Sequence, residues 1–249
     1  MNGGSLRNLA RKLRKALALA RTPRFRRGLR SGVGACIEHE PLLRGMDVRT
    51  VVDVGANKGQ FALLALELFP QALVYSFEPL AAPFARLEAW SGRETRLIRR
   101  RLALTDATGP RTMHVSAQAD SSSLRAITDR QTAQFPGTHE TGLEDVAAAR
   151  LDEVMTAADL VAPAFLKIDV QGGELDVLRG ATGLLARFTW IYVECSFIEF
   201  YEGQALTDDV VAFLADAGFE ATVYWRPHRN AAGRPVQTDI LFARSPVEQ

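Results

Sequence analysis

The chain has 249 residues, 47% of them hydrophobic, enough for one sizeable core and short for a second full domain. Its formal net charge of +1 conceals an asymmetry: residues 1–30 hold ten Lys and Arg and no acid, leaving 20 basic against 29 acidic residues elsewhere. Two cysteines, Cys36 and Cys195, exclude a disulfide framework and a zinc-ligand pattern; no apolar run reaches transmembrane length, Ala16–Ala20 is too weak for a secretory core, and a cytoplasmic location is expected.

Leu6, Leu9, Leu13 and Leu17 form one helical stripe among Arg and Lys, with Ser5 as N-cap and Thr22-Pro23 as its expected end. This basic arm is expected to dock on something acidic: the protein's own body, a second copy in a homodimer, or an anionic membrane surface reached by residues 6–30. Nucleic acid is not the expected partner, because Phe25 stands alone and offers no stacking platform. A lead-in containing Glu38-His39-Glu40-Pro41 follows. Residues 1–49 thus read as arm and lead-in, and 50–249 as the principal domain.

Val51-Val-Asp-Val-Gly-Ala-Asn-Lys-Gly59 reads as a buried strand entering a glycine turn. Phe61, Leu64, Ala65 and Leu68 give the next segment a helical period, and Leu73-Val-Tyr-Ser-Phe-Glu-Pro79 is a second strand ending on an acid. This is half of a nucleotide-binding α/β fold, with Glu78 placed to accept hydrogen bonds from both hydroxyls of a ribose. The turn is G-x-x-x-G rather than G-x-G-x-x-G, so the glycine that admits a pyrophosphate is missing. With Asp53 adding negative charge, the pattern suits a cationic, phosphate-free nucleoside such as S-adenosylmethionine.

A helix over 81–90, a third strand over about 96–104, an alternating run over 111–116 and a polar loop at Ser121–Ser123 follow. Residues 125–149 have weak periodicity. Ala164-Phe-Leu-Lys-Ile-Asp169 is again a buried strand ending on an acid, and Gly172-Gly173 opens a helix expected to reach Leu185. Trp190–Glu194 is the next strand, 206–217 a helix closed by Gly218, and 220–225 with 237–243 a closing β-hairpin. The expected architecture is α/β and Rossmann-like, a mostly parallel seven-stranded sheet with helices on both faces and a C-terminal hairpin.

Several runs together resemble the FkbM-type methyltransferases: Asp53-Val-Gly-Ala-Asn-Lys-Gly-Gln-Phe61, Ser76-Phe-Glu-Pro79, Phe165-Leu-Lys-Ile-Asp-Val-Gln-Gly-Gly-Glu-Leu175, Val193-Glu-Cys-Ser-Phe197 and Tyr201-Glu-Gly-Gln204. The resemblance implies a class I fold, S-adenosylmethionine as donor, and methyl transfer to a hydroxyl of a saccharide, glycan or related natural product. The cofactor-binding positions expected are Asp53, Gly55, Asn57, Gly59, Phe61, Glu78, Pro79, Ala103, Leu104 and Asp169. The alternatives are a nicotinamide-dependent oxidoreductase, which would want the missing glycine motif and a Tyr-x-x-x-Lys pair, and a catalytically silent cofactor-binding protein.

Methyl transfer to oxygen needs an acceptor hydroxyl aligned with the sulfonium methyl and a group that takes or polarises its proton. Asp169 and Glu194, ending consecutive core strands, are the first candidates, either as ligands of Mg²⁺ or as a base with an orienting partner. Lys167 shares a strand face with Asp169 and is expected to pair with a carboxylate. Gln171 either faces the crevice or closes the turn, Glu174 either acts in the site or favours its helix N-terminus, and His39 is a further proton acceptor.

Overall fold

The computed structural model describes residues 20–245. The principal sheet has seven strands in the order β3-β2-β1-β7-β8-β10-β9: β1 (Thr50–Val54), β2 (Leu73–Phe77), β3 (Leu97–Arg100), β7 (Ala164–Ile168), β8 (Trp190–Ser196), β9 (Phe219–Arg229) and β10 (Pro235–Arg244). β3 to β8 pair in parallel, and only β10 runs against its neighbours β8 and β9. β1 and β7 are buried along their whole length, as strands covered on both faces must be.

The pleat divides the core. Val52, Val54, Leu166, Ile168, Ile191 and Val193 face α7 (Glu174–Arg179) and α8 (Thr207–Asp216). Val51, Phe165 and Tyr192 face α1 (Pro23–Arg30), α3 (Gln60–Leu68) and α4 (Ala81–Ser91). Period-2 alternation thus gives each buried strand two apolar faces and the sheet two helical layers.

Thr22-Pro23 was expected to end a helix, but it starts one. The Thr22 hydroxyl accepts from the Phe25 amide at 3.2 Å, and Pro23 occupies the first helical turn, where its missing N–H costs nothing. Phe25 is fully buried, and Arg24 pairs with Glu67 at 2.9 Å and Glu94 at 3.3 Å. Arg21 bonds Glu40 at the start of α2 (Glu40–Leu43). The described end of the basic arm therefore meets the protein's own acids. The Ser5 cap and the Leu6–Leu17 stripe lie outside the described residues.

The expected third strand is two. β3 stays in the principal sheet, while β4 (Ala103–Leu104) joins a second sheet, ordered β4-β6-β5, with β5 (Gly109–Ser116) and β6 (Glu140–Ala149). A short helix, α5 (Asp129–Gln134), precedes β6, and α6 (Leu151–Val154) follows it. α7 is shorter than expected, stopping at Arg179 before a turn and a 3-10 segment at Leu185–Arg187. There the next residue, Gly180, lies so close to Thr105 that an added Cβ would stand 2.0 Å from the Thr105 carbonyl oxygen.

Candidate active site

A cavity of about 640 Å³ opens at the carboxyl edge of the principal sheet, over β1, β2 and β7. This is where open α/β sheets hold their ligands. One wall is the turn after β1. There Gly55 adopts φ +76°, and a Cβ would lie 1.8 Å from the Asp169 carbonyl oxygen, so only glycine lets the two turns meet. Gly59 has a different task from the one expected. It does not line the cavity, and its missing Cβ makes room for Leu87 and Trp90.

The amides of this turn are all used inside the protein. Gly55 and Ala56 donate to the Phe77 carbonyl at 3.1 and 2.9 Å, and Gly59 donates to the Ala56 carbonyl at 2.8 Å. Asn57 donates to Glu78 Oε2 at 2.8 Å, and Lys58 to Gln60 Oε1 at 3.1 Å. No N–H is left here to cradle a pyrophosphate, which argues against a dinucleotide.

Glu78 lies on the cavity wall beside Pro79, its second oxygen accepting from the Leu80 amide at 2.9 Å. Burial pushes its carboxyl up to about 7, against the pull of the two amide bonds. Each oxygen has a lone pair beyond the one these amides use, so the group can still receive ribose hydroxyls. Asn57, at φ +49°, lines the cavity with both side-chain polar atoms buried and unbonded. A ligand with hydrogen-bonding groups of its own would satisfy them. Phe61 and, from the second sheet, Ala103, Leu104 and Met113 belong to the apolar lining. The residues present thus fit a phosphate-free nucleoside.

Strand register organises the polar residues into two rows on one face. Ser76, Asp53, Lys167 and Tyr192 stand side by side across β2, β1, β7 and β8. Asp53 is fully buried beneath the wall rather than on it, a correction to its expected cofactor contact. Its partner is Lys167, whose Nζ lies 3.2 Å from Asp53 Oδ1 and 3.6 Å from Asp169 Oδ2, and donates to the Gly55 carbonyl at 3.0 Å. Burial opposes the charge of Lys167, but Asp53 and then Asp169 outweigh it and hold the ammonium above its ordinary pKa. Burial pushes Asp53 up, with Lys167 opposing.

One pleat further towards the edge come Asp169, Glu194 and, from β10, Asp239, the cross-strand partner of Glu194. Asp169 lines the cavity; Glu194 does not, and β8 continues past it to Ser196. The expected convergence of the two acids is real, but an amide joins them. Gln171 Nε2 donates to Asp169 Oδ1 and to Glu194 Oε2, both at 2.7 Å. Gln171 is itself held at φ +60°, its Oε1 accepting from Tyr201 at 2.7 Å and its carbonyl from Ser123 at 2.6 Å. Burial, then Asp169 and Asp239, push Glu194 well up. Among the described residues no group of three or more His, Cys, Asp and Glu is arranged to hold a metal ion, and the Mg²⁺ reading gains no support.

Glu174 is a correction too. It is buried off the cavity, accepting from the Gly172 amide at 3.0 Å and the Val170 amide at 3.3 Å, so it closes the turn that carries Gln171. His39 does line the cavity, on a 3-10 turn anchored where Trp225 donates to the Glu38 carbonyl at 3.3 Å. Burial pushes its imidazole down to about 4.

A parallel sheet with its one reversed strand inserted next to the end, and a cavity at its carboxyl edge whose turn leaves no amide for a pyrophosphate, have the architecture of the class I methyltransferases. Within that class, the pattern of the methyltransferase FkbM domain matches residues 53–221, and the chain belongs to this family. It is 31% identical over 236 residues to the 31-O-demethyl-FK506 methyltransferase FkbM of Streptomyces tacrolimicus, covering 86% of this chain and 83% of that protein. It is 28% identical over 188 residues to the 2-O-methyltransferase NoeI of Sinorhizobium fredii, covering 72% and 77% of the two chains. The hexuronic acid methyltransferase AglP of Haloferax volcanii is 29% identical over 146 residues, covering 57% and 54%.

Proposed function

We propose that this protein transfers the methyl group of S-adenosylmethionine to a hydroxyl of a saccharide or comparably hydroxylated natural product. The observation that carries the reading is Asp169, a carboxylate on the wall of the nucleoside cavity, fixed by Gln171 on one oxygen and Lys167 on the other. An anchored anion there accepts a hydrogen bond from a hydroxyl next to the reacting one on a polyhydroxylated acceptor, and so holds the reacting oxygen in line with the methyl group. Relatives whose names specify a 31-O-demethyl substrate, 2-O-methylation and a hexuronic acid support oxygen and a sugar-like acceptor. Glu78 would take the ribose, Asn57 and Gly55 the amino-acid end, and Ala103 and Leu104 the adenine side; the sulfonium supplies the electrophilic methyl. Gln171 joins the two acids through one amide.

Methyl-labelled donor offered with a panel of glycosides, uronic acids and polyketide alcohols tests the reaction. Label is expected in an ether on the acceptor; label found only on nitrogen or carbon would overturn the oxygen assignment. Glu78→Ala tests the site separately. It should weaken binding of the demethylated donor by about 1.5–3 kcal/mol, roughly 10- to 150-fold, the range for a charge-assisted hydrogen bond. Because burial sets the Glu78 carboxyl near 7, the ionised acceptor prevails above that pH and fades below it. Calorimetry should therefore show affinity falling from pH 8 to pH 6 in the native chain and not in Glu78→Ala. Equal affinity in the two proteins would reject the ribose assignment.

A further inference from the structure

We propose that His39, Tyr192 and Asp239 form the line that receives the acceptor's proton, with Nε2 of His39 as the accepting atom. The proposal rests on the O-methyl-transfer reading above and adds the proton's destination. His39 Nδ1 lies 2.8 Å from the Tyr192 hydroxyl and 3.8 Å from Asp239 Oδ2. The Asp239 carboxylate acts on the same hydroxyl: it holds the Tyr192 phenol in its protonated form, and the phenol in turn draws the Asp239 carboxyl down. All three residues line the cavity.

Chemistry then fixes the direction of each bond. An ionised carboxylate only accepts, so the Tyr192 O–H donates to Asp239. The phenolic oxygen is left to accept, and the Nδ1–H of His39 donates to it. A neutral imidazole carries one N–H, so its Nε2 keeps a lone pair, and among the described residues nothing is bonded to it. Burial favours the neutral ring by pushing its pKa down to about 4. Tyr192 and Asp239 are positioning residues: they choose the tautomer, as an acid–histidine pair does in other enzymes.

The step balances. The hydroxyl oxygen forms its bond to the methyl carbon while the carbon–sulfur bond breaks, its electron pair remaining on sulfur. The hydroxyl proton passes to Nε2, the Nδ1 proton to the phenolic oxygen, and the phenolic proton to Asp239; once the ether leaves, Nε2 releases its proton to water in the open cavity and the Asp239 proton returns through Tyr192 to Nδ1, which restores the line. The products are a methyl ether, a neutral thioether and one released proton.

The line also has an off position. Burial, then Asp169, push the Asp239 carboxyl up, with Tyr192, Lys167 and Arg226 opposing, and Glu194 lies across the strand pair. His39 is faced by Glu38 on its own turn, by Lys167 and Asp169 from the β7 end and by Arg226 from β9. Once protonated, Asp239 no longer takes the phenolic proton. The Tyr192 O–H then turns to Nδ1, and the imidazole proton moves to Nε2. The ring changes tautomer without changing charge.

Long-range proton–nitrogen spectra of the full chain labelled at its four histidines read this without donor or acceptor, with His39→Gln assigning the signal. At pH 8.5 the native protein should show Nδ1 protonated and Nε2 bare. Lowering the pH to 6, or substituting Asp239→Ala, should move the proton to Nε2. An Nε2–H form at pH 8.5, or a ring that charges near its ordinary 6.5, overturns the proposal, and the native measurement stands even if the variant fails to fold. On an acceptor returned by the panel, His39→Gln should lower turnover by about 10²- to 10⁴-fold. Unchanged turnover there would remove His39 from the reaction whatever its tautomer. Affinity for the demethylated donor should stay native in His39→Gln, so a failure of donor binding would count against the methyltransfer reading and not against this one.

Discussion

Asp169→Asn should lower turnover by at least about 10²-fold while leaving affinity for the demethylated donor and the melting temperature nearly unchanged. The substitution keeps the size of the side chain. An amide oxygen can still accept from Gln171, and Lys167 keeps Asp53, 3.2 Å away, as its principal partner. What is lost is the charge of Asp169, which unlike Glu194 faces the cavity. A neutral amide accepts a weaker hydrogen bond from the acceptor's neighbouring hydroxyl, so the reacting oxygen is held less firmly in line with the methyl group. The loss should therefore fall on kcat rather than on donor binding. Glu194→Gln should cost less, because Glu194 stands behind Gln171 and off the cavity wall. Measuring kcat, KM and calorimetric affinity for both variants separates the roles. Native kcat in Asp169→Asn would remove this residue from the chemistry.

The parts of this site legible in the sequence are those that lie close together along the chain. Strand, glycine turn, helix, strand and acid occupy one uninterrupted run from Val51 to Glu78, and local pattern is enough to read it. The Lys167-Ile-Asp-Val-Gln171 run is similarly local, because period 2 places Lys167 and Asp169 on one face wherever that strand sits. The seven strands of the principal sheet could be counted for the same reason. The central strands β1 and β7 are short, apolar segments buried along their whole length, and β9 and β10 are neighbours in sequence that pair as a hairpin.

What escaped depends on strand order and on packing across long separations. Asp239 looks like one acid in a closing hairpin until β10 is inserted between β8 and β9, which sets it opposite Glu194. Tyr192 looks like an ordinary core residue of an apolar strand; its hydroxyl finds His39, from a turn 153 residues earlier. A charged residue inside Val236-Gln-Thr-Asp-Ile-Leu-Phe242 was the available signal, but without strand order it names no partner. The second sheet was hidden for another reason. Residues 140–145 of β6 are mostly exposed, so its sequence carries little hydrophobic alternation, and only its far end, Val146, Ala148 and Ala149, is buried. Asp53 was misplaced because the pattern reports which face it shares with Lys167, not how deep that face lies.

Depth is why Lys167→Met should be the most destabilising change at the site. The lysine stem fits methionine closely, so the lost term is charge. Asp53 is 0% exposed, and its nearest cation is Lys167. Breaking a buried pair by removing one member costs about 3–5 kcal/mol, because the other charge is left without compensation. At about 2–4 °C per kcal/mol for a chain of this size, the melting temperature should fall by roughly 10 °C. The penalty should depend on pH in a definite sense. Burial already raises the Asp53 pKa, and removing Lys167 raises it further. A carboxyl whose folded-state pKa lies above its unfolded value is favoured in the folded state when protonated, and that advantage is lost as pH rises through the folded pKa. The deficit of Lys167→Met relative to the native chain should therefore widen from pH 5 to pH 8. Adding Asp53→Asn removes the orphaned charge and should recover part of the loss. Recovery stays incomplete, because the Val54 and Gly55 carbonyls, which Lys167 Nζ meets at 3.4 and 3.0 Å, remain without that donor. Denaturant unfolding of the two single variants and the double completes the cycle. A double variant no more stable than Lys167→Met alone would show that the lysine serves the cavity rather than the buried acid beneath it.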